Sequence, residues 1–476
     1  MTVCKNWLLT AGTALLTACA APRPATPPQD VPQAFEVGPT AGQWPAQEWY
    51  RDFGSDELNT FVDAAVHANL DLESARARVA QADARARQAG AAILPSVDAT
   101  GTGNYFAGHS SRGSGHEFDW AALLSASYEV DFWGKNRATA DSARLLAGAS
   151  RAEQDAVKLT TLAGVANGYF QLLALRERLA VAQSNRDVAK QLLDVVQARF
   201  DVAMASPIEL STQKAAFDTA QIAISDLQQT EFEARTALSL LLGRPPENFA
   251  VQGQPLDSLH EPPVGAGLPS ELLTRRPDIF LAETNLRAGQ ADVAAARAAM
   301  FPTLSLTASG GVQNPALPAA VLTIGGIGPS FNLAANLTQP IFDHGKLKAQ
   351  RDEVEAKDRE LLSAYKTSIL SAFNDVENSL SAIQHLNQSR PFQVENVSES
   401  ERAFEGAKLR YQAGSVDFLT LLEAQKTLYA ARDQLIQYKL ARLQALVSLC
   451  KALGGGWTQP PQPAVADHPT NRNIGS

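Results

Sequence analysis

Leu94-Pro95-Ser96-Val97-Asp98-Ala99-Thr100-Gly101-Thr102-Gly103-Asn104-Tyr105 alternates small or apolar residues with polar ones, and Phe301-Pro302-Thr303-Leu304-Ser305-Leu306-Thr307-Ala308-Ser309 repeats the design 207 residues later (302 − 95 = 207). Two further stretches have the same period of two. Leu124, Ala126, Tyr128, Val130 and Phe132 interleave with Ser125, Ser127, Glu129 and Asp131, and Phe331, Leu333, Ala335 and Leu337 interleave with Asn332, Ala334, Asn336 and Thr338. Such alternation gives a strand one apolar and one polar face. Outside the strands the recurrence continues: Gly134-Lys135 returns as Gly345-Lys346 and Arg199-Phe200 as Arg410-Tyr411, both 211 residues on (345 − 134 and 410 − 199). Each copy reads as Ala-rich helix, Pro, two alternating segments, Gly-Lys, long helix, short break and second helix. A period this long marks a duplicated unit rather than a solenoid, whose repeats run ~20–50 residues.

The alternating segments match the ~9–11 residues with which a tilted strand crosses a bilayer. Tyr105, Phe132, Phe331 and Phe342 near their ends resemble an interfacial girdle, and Asp98, Glu129 and Asp131 on the polar face suit a water-filled lumen better than the packed interior of a soluble sandwich. A membrane barrel is therefore favoured. Closure needs about eight strands, and lipid tolerates no open edge. Four strands per chain cannot close, so three copies contributing twelve are expected.

From Lys135 to Asp201 there is no proline, and at ~1.5 Å per residue that run would extend about 100 Å. A second helix follows from Pro207 to Leu242. The other half offers Lys346 to Ala413, where Pro391 should kink or interrupt the rod, and Val416 to Leu453. The last helix carries two adjacent seven-residue rows, Leu421, Leu428, Leu435 and Leu422, Tyr429, Ile436, Leu443, Cys450. Two rows let a helix touch neighbours on both sides, as a closed ring requires, and a broad bundle-facing stripe explains them equally well. Continuity with a strand barrel favours the tube.

The bulk numbers exclude some functions. With 476 residues, 45% apolar and 19% charged, the chain can fold, and a net charge of −9 without any basic stripe argues against nucleic acid. Seven histidines are scattered without metal spacing, His109 and His116 sharing one loop, and no nucleophile motif such as GxSxG appears, so an enzyme is not expected. The three cysteines, Cys4, Cys19 and Cys450, form no disulfide framework. Cys450 reads as a small buried side chain. Lys5, an uncharged run from Trp7 and Leu16-Thr17-Ala18-Cys19 read as a signal peptide ending in a lipobox, with Cys19 the residue lipidated after cleavage. Ala20 resembles the outer-membrane-sorted type, and the Pro-rich stretch after it reads as an extended tether. Ala298 to Phe342 is free of charge, but its prolines and glycines forbid a spanning helix.

Several motifs then carry a resemblance. Leu272-Leu273-Thr274-Arg275-Arg276-Pro277-Asp278-Ile279 resembles the LLxRRPDI signature of outer-membrane efflux lipoproteins of the TolC/OprM type, in their NodT-like branch. Lys451-Ala452-Leu453-Gly454-Gly455-Gly456-Trp457, Arg410-Tyr411-Gln412-Ala413-Gly414 and Phe418-Leu419-Thr420-Leu421-Leu422-Glu423-Ala424-Gln425 match the same family in the same order. The Arg-Arg-Pro-Asp motif suits a helix start and concerns fold rather than transport.

The resemblance implies an α+β membrane protein: a TolC-like trimeric β-barrel, four strands per chain, continuous with a long periplasmic α-barrel and a mixed equatorial domain. It implies an outer-membrane channel of a tripartite efflux system, a homotrimer passing small molecules and drugs from an inner-membrane pump of the RND or major-facilitator type through a periplasmic adaptor. Outer-membrane lipid is the other partner, and no cofactor or metal is implied. An outlet for type I polypeptide secretion is the nearest alternative, and a lipid-anchored structural coiled-coil protein the more distant one. By the same resemblance Leu419 and Glu423 would line the tightest constriction, with Arg410, Tyr411 and Asp417 completing the periplasmic gate; some relatives carry Asp where this chain has Thr420. The expected organisation is 1–18 signal peptide, 19–54 anchored extended segment, 55–254 first repeat (strands about 96–132, hairpin about 135–243), 255–457 second repeat (strands about 303–342, hairpin about 346–453) and 458–476 a disordered tail.

Overall fold

A computed structural model describes residues 31–37, 43–110, 113–314 and 328–460. The signal peptide, Cys19 and most of the 458–476 tail lie outside the described residues. In chain order come α1 (Asp56–Ala68), α2 (Leu70–Ala91), β1 (Ser96–Ser110), β2 (Gly113–Val130), α3 (Lys135–Asp201), α4 (Pro207–Leu241), the single turn α5 (Pro269–Leu272), α6 (Pro277–Ala298), β3 (Thr303–Asn314), β4 (Gly328–Thr338), α7 (Lys346–Gln412) and α8 (Phe418–Ala452). Contacts divide the chain into two compact units, one containing Arg78–Arg151 and Leu281–Lys366, the other Gln29–Ala77, Ala152–Phe280 and Thr367–Ser476.

The first unit holds the sheet, an antiparallel meander in the order β1-β2-β3-β4 among the described residues. Register follows the alternation. Ala99, Leu124, Gly310 and Phe331 form one row across the four strands, and Asp98, Ser125, Ser309 and Asn332 the next. The apolar rows have no cover: Val97, Leu124, Leu333 and Leu337 are exposed, and Phe331 is 80% exposed. β1 pairs only with β2 and β4 only with β3 among the described residues, so both outer edges keep unpaired backbone groups. No helix among the described residues is long and apolar enough to cross a membrane.

The sheet departs from expectation in three places. β1 and β2 have 15 and 18 residues, against 12 and 11 for β3 and β4, because pairing continues through the segment read as a loop around His109 and His116. Phe132 and Phe342 lie past the strand ends. The aromatic cluster there is Phe132, Trp133 and Phe301, with Trp133 stacked on Phe301 (centroids 4.7 Å) and donating to the Pro302 carbonyl (2.8 Å). Asp131 does not face a lumen. It is buried and accepts from the amides of Asn136 (3.0 Å) and Arg137 (2.8 Å), satisfying orphan donors at the start of α3. Asp343 does the same for α7 through the Gly345 and Leu347 amides (both 2.9 Å), and these bonds, led by that from Leu347, hold its carboxyl below the usual range.

The duplication is quantitative. α3 and α7 each have 67 residues and α4 and α8 each 35, all offset by 211 (346 − 135 and 418 − 207). The packed core of the second unit contains Trp49, Phe53, Leu58, Tyr169, Phe170, Leu238, Leu242, Val447 and Cys450. Burial pushes the Cys450 thiol up to about 12, in keeping with an inert core residue. Pro391 does not interrupt α7. It removes the donor for the Asn387 carbonyl, and Tyr438 of α8 braces that turn by donating to the Leu386 carbonyl (2.9 Å).

The signature motifs lock this unit. Arg276 is buried; it donates to Asp278 (2.7 Å), to Asp375 (3.0 Å) and to the Ala452 carbonyl at the end of α8 (3.0 Å). Burial works against its charge, but the two carboxylates outweigh that and raise its pKa. Gly454 turns the chain with φ +87°, and a Cβ there would stand 1.9 Å from the Arg275 carbonyl oxygen. Trp457 then reaches Asp155 (2.8 Å).

Candidate functional site

The expected gate residues lie at the far end of the helical hairpins, in the second unit. Both turns are built alike. Met204 N donates to the Arg199 carbonyl (2.7 Å), and its repeat mate Ser415 N donates to the Arg410 carbonyl (2.9 Å). The left-handed position is Ala203 (φ 58°) in one turn and Gly414 (φ 70°) in the other, so only the second has the residue that adopts it without strain. Ser206 and Glu209 cap α4 reciprocally, the Ser206 hydroxyl accepting from the Glu209 amide (3.2 Å) and the Glu209 carboxylate from the Ser206 amide (2.7 Å). Asp417 caps α8, its Oδ1 accepting from the Thr420 amide (2.8 Å) and hydroxyl (2.6 Å). Those bonds, the hydroxyl's first, hold the Asp417 carboxyl below the ordinary Asp value.

Beneath the turns sits a separate apolar cluster of Leu192 and Val196 from α3, Phe404, Ala407 and Tyr411 from α7, and Phe418, Leu421, Leu422 and Leu428 from α8. Helical spacing sends Phe418, Leu421, Leu422 and Gln425 inward and leaves Leu419, Thr420 and Glu423 outward. Leu419 is 67% exposed and Glu423 is exposed one turn beyond it. With Asp417, Ser400 and Ala403 they line a hollow of about 470 Å³ between α7 and α8.

Three of the five expected gate residues, Leu419, Glu423 and Asp417, therefore share one open face. Tyr411 is on the other side, 3% exposed, with its ring 6.1 Å from that of Phe418. Burial raises its phenol pKa. Arg410 is exposed, and its guanidinium makes no ion pair among the described residues. The partner of Tyr411 is Arg199, which lies over the ring at 4.6 Å and donates to the Tyr411 carbonyl (3.1 Å). The sequence marks Arg199 only as the repeat mate of Arg410. That mate position was the signal that could have found it.

A face of exposed leucine and carboxylate takes its chemistry from what lies opposite it. Comparison with known proteins supplies the context. The outer membrane efflux protein family model matches twice, over residues 61–244 and 268–455. The chain is 44% identical over 420 residues to the pyoverdine export outer membrane protein OpmQ of Pseudomonas aeruginosa, covering 86% of this chain and 88% of that one. To OpmQ of Pseudomonas putida it is 40% identical over 471 residues, 96% of this chain and 97% of that one. Among solved structures it resembles the open state of the Neisseria gonorrhoeae MtrE outer membrane channel, with a TM-score of 0.81 at 28% identity over 93% of this chain and 100% of that chain. The fold is thus that of the TolC-like channels, as the motifs implied, and the protein is an efflux channel of the outer membrane that extends into the periplasm. The chain belongs to the outer membrane efflux protein family.

Proposed function

We propose that three copies of this chain form the outlet of a tripartite efflux system, closing a twelve-stranded barrel and receiving substrate from an inner-membrane pump through a periplasmic adaptor. The observation that carries the reading is the four-stranded sheet with an uncovered apolar face and two unpaired edges. Lipid satisfies the face, and only further strands satisfy the edges. The units at 55–254 and 255–457 are two copies of one ancestral hairpin module, in keeping with helices of equal length at a constant offset. Cys19 carries the lipid that tethers the N-terminus. The relatives named for pyoverdine export support a small-molecule cargo over a polypeptide, and make pyoverdine-type compounds the first substrates to test.

At the periplasmic mouth, Leu419 and Glu423 become rings of three. The leucines form an apolar stricture that sheds water, and the carboxylates a ring that repels anions. Asp417 fixes the start of the helix that bears them, Tyr411 anchors its base, and Arg410 holds the closed tips to their surroundings. Leu419→Ala and Glu423→Ala in a Gram-negative host should increase sensitivity to vancomycin, a compound excluded by a closed outlet. Unchanged sensitivity with normal amounts of protein in the outer membrane counts against the gate.

A further inference from the structure

α8 is tied to α3 firmly at one level and loosely at another. Arg178 of α3 makes two bonds to Asp433 of α8 (2.6 and 3.3 Å). Eight residues nearer the turn (433 − 425), ~12 Å away at ~1.5 Å per residue, the polar contact among the described residues is one long bond, Gln425 Nε2 donating to Asn185 Oδ1 (3.4 Å). Gln425 is 6% exposed, and its Oε1 has no partner among the described residues. A cavity of about 90 Å³ adjoins it, walled by Ser184, Asn185, Phe404, Gln425, Leu428 and Tyr429. Gln213 of α4 is in a similar position. Fully buried, it donates to the Ala189 carbonyl of α3 (2.9 Å) and leaves its own Oε1 without a partner among the described residues.

The polar layer stands between two apolar clusters. Phe404 and Leu428 belong to the one beneath the turns, and Tyr429 packs on the lower group of Leu175, Ala182, Ile224 and Leu227, so the cavity draws its walls from both. Buried amide oxygens without partners are costly, and leucine or methionine at 425 would fill similar volume without that cost. The cavity suits water. It exceeds the ~10–15 Å³ that one water requires, and a water donating to Gln425 Oε1 has Ser184 and Asn185 in the same wall as further partners. The two turns of α8 before this layer, 418–424, are the ones that carry Leu419 and Glu423.

We infer that water fills this cavity and that the Asn185–Gln425 layer is a joint, on which 418–424 shifts against α3 while α8 beyond Asp433 stays fixed. This joint presupposes the proposed gate and names what positions it: Gln425 acts through the turns that bear Leu419 and Glu423 and touches no substrate. The choice of amides over leucines has a physical reason. Close-packed apolar side chains interlock and resist sliding, whereas bridging water exchanges one hydrogen-bond partner for another at small cost. An apolar layer would fuse tip and stem into one cooperative unit; the hydrated one gives the tip a lower free energy of local opening.

The test is native-state hydrogen exchange of the full-length protein in detergent, read by mass spectrometry, with Asn185→Leu and Gln425→Leu combined. Removing the layer should slow exchange at 418–424 about tenfold and leave 434–441 as in wild type. Gln425→Met, which keeps the length of the side chain, repeats the test with one substitution. Equal slowing of both segments means general stabilisation, and unchanged or faster exchange at 418–424 means that the amides serve packing alone; either result overturns the joint. Single-channel recording of the same variants separates the joint from the gate, and rarer openings are expected. Slower tip exchange with openings as frequent as in wild type keeps the joint and counts against Leu419 and Glu423 as the gate. Unchanged tip exchange, with Leu419→Ala still raising conductance, overturns the joint and leaves the gate standing.

Discussion

Arg199 secures the tip cluster from one side, with its guanidinium over the Tyr411 ring and one bond to the Tyr411 carbonyl. Arg199→Ala loses both, at a cost of about 1–2 kcal/mol, and should lower the thermal unfolding midpoint. Arg199→Lys should recover only part of it, since an ammonium lacks the planar fork. Leu419 and Glu423 behave oppositely because they are exposed in the chain. Leu419→Ala and Glu423→Ala should leave the midpoint within about 0.5 kcal/mol of wild type while increasing single-channel conductance; a fall in stability without a change in conductance would mean a structural role. Asp417 adds a pH dependence. Its carboxyl is held below the ordinary Asp value of ~3.9, so its stabilisation is complete above that value and is lost as pH falls through the lower folded one. Asp417→Asn keeps a capping side chain but should flatten the pH slope of unfolding in that acidic range, and an unchanged slope refutes the assignment.

Elements were legible where a single period governs them. Alternation around Val97 and Leu304 located strands, because one face of each must be apolar; a proline-free run located α3, and the 211-residue repeat located α7 with Pro391 inside it. The extension of β1 and β2 was not legible: the Gly- and Ser-rich stretch between them lacks alternation, and its strand character comes from pairing between partners. Asp131 was misread for a related reason. One residue beyond β2 the period of two no longer applies, and the carboxylate answers to the helix start instead. The proposed gate residues rest on resemblance alone, since nothing in the local pattern tells Glu423 from any solvated helix carboxylate. Arg276 shows what the motif does at this scale. Arg276→Ala removes the bonds to the half-exposed Asp278 and Asp375 carboxylates and to the end of α8, and should cost about 1–3 kcal/mol. Gly454→Ala should be at least as damaging, since a Cβ meets the Arg275 carbonyl at 1.9 Å. Chemical denaturation of both variants against a surface control such as Lys357→Ala checks the pair, and a loss near zero for either contradicts the locking role.

At the scale of the whole molecule the chain is a duplicated half-solution. Among the described residues, two hairpin modules and four strands leave an apolar face and two sheet edges without partners. In the proposed trimer, copies of the chain satisfy the edges and the outer membrane satisfies the face. The measurement that tests this most directly is the single-channel conductance of the purified protein in planar bilayers, with its oligomeric mass taken in the same detergent. A trimer that forms small, mostly closed channels is the predicted result. A monomer, or a trimer that never conducts, would contradict the twelve-stranded channel.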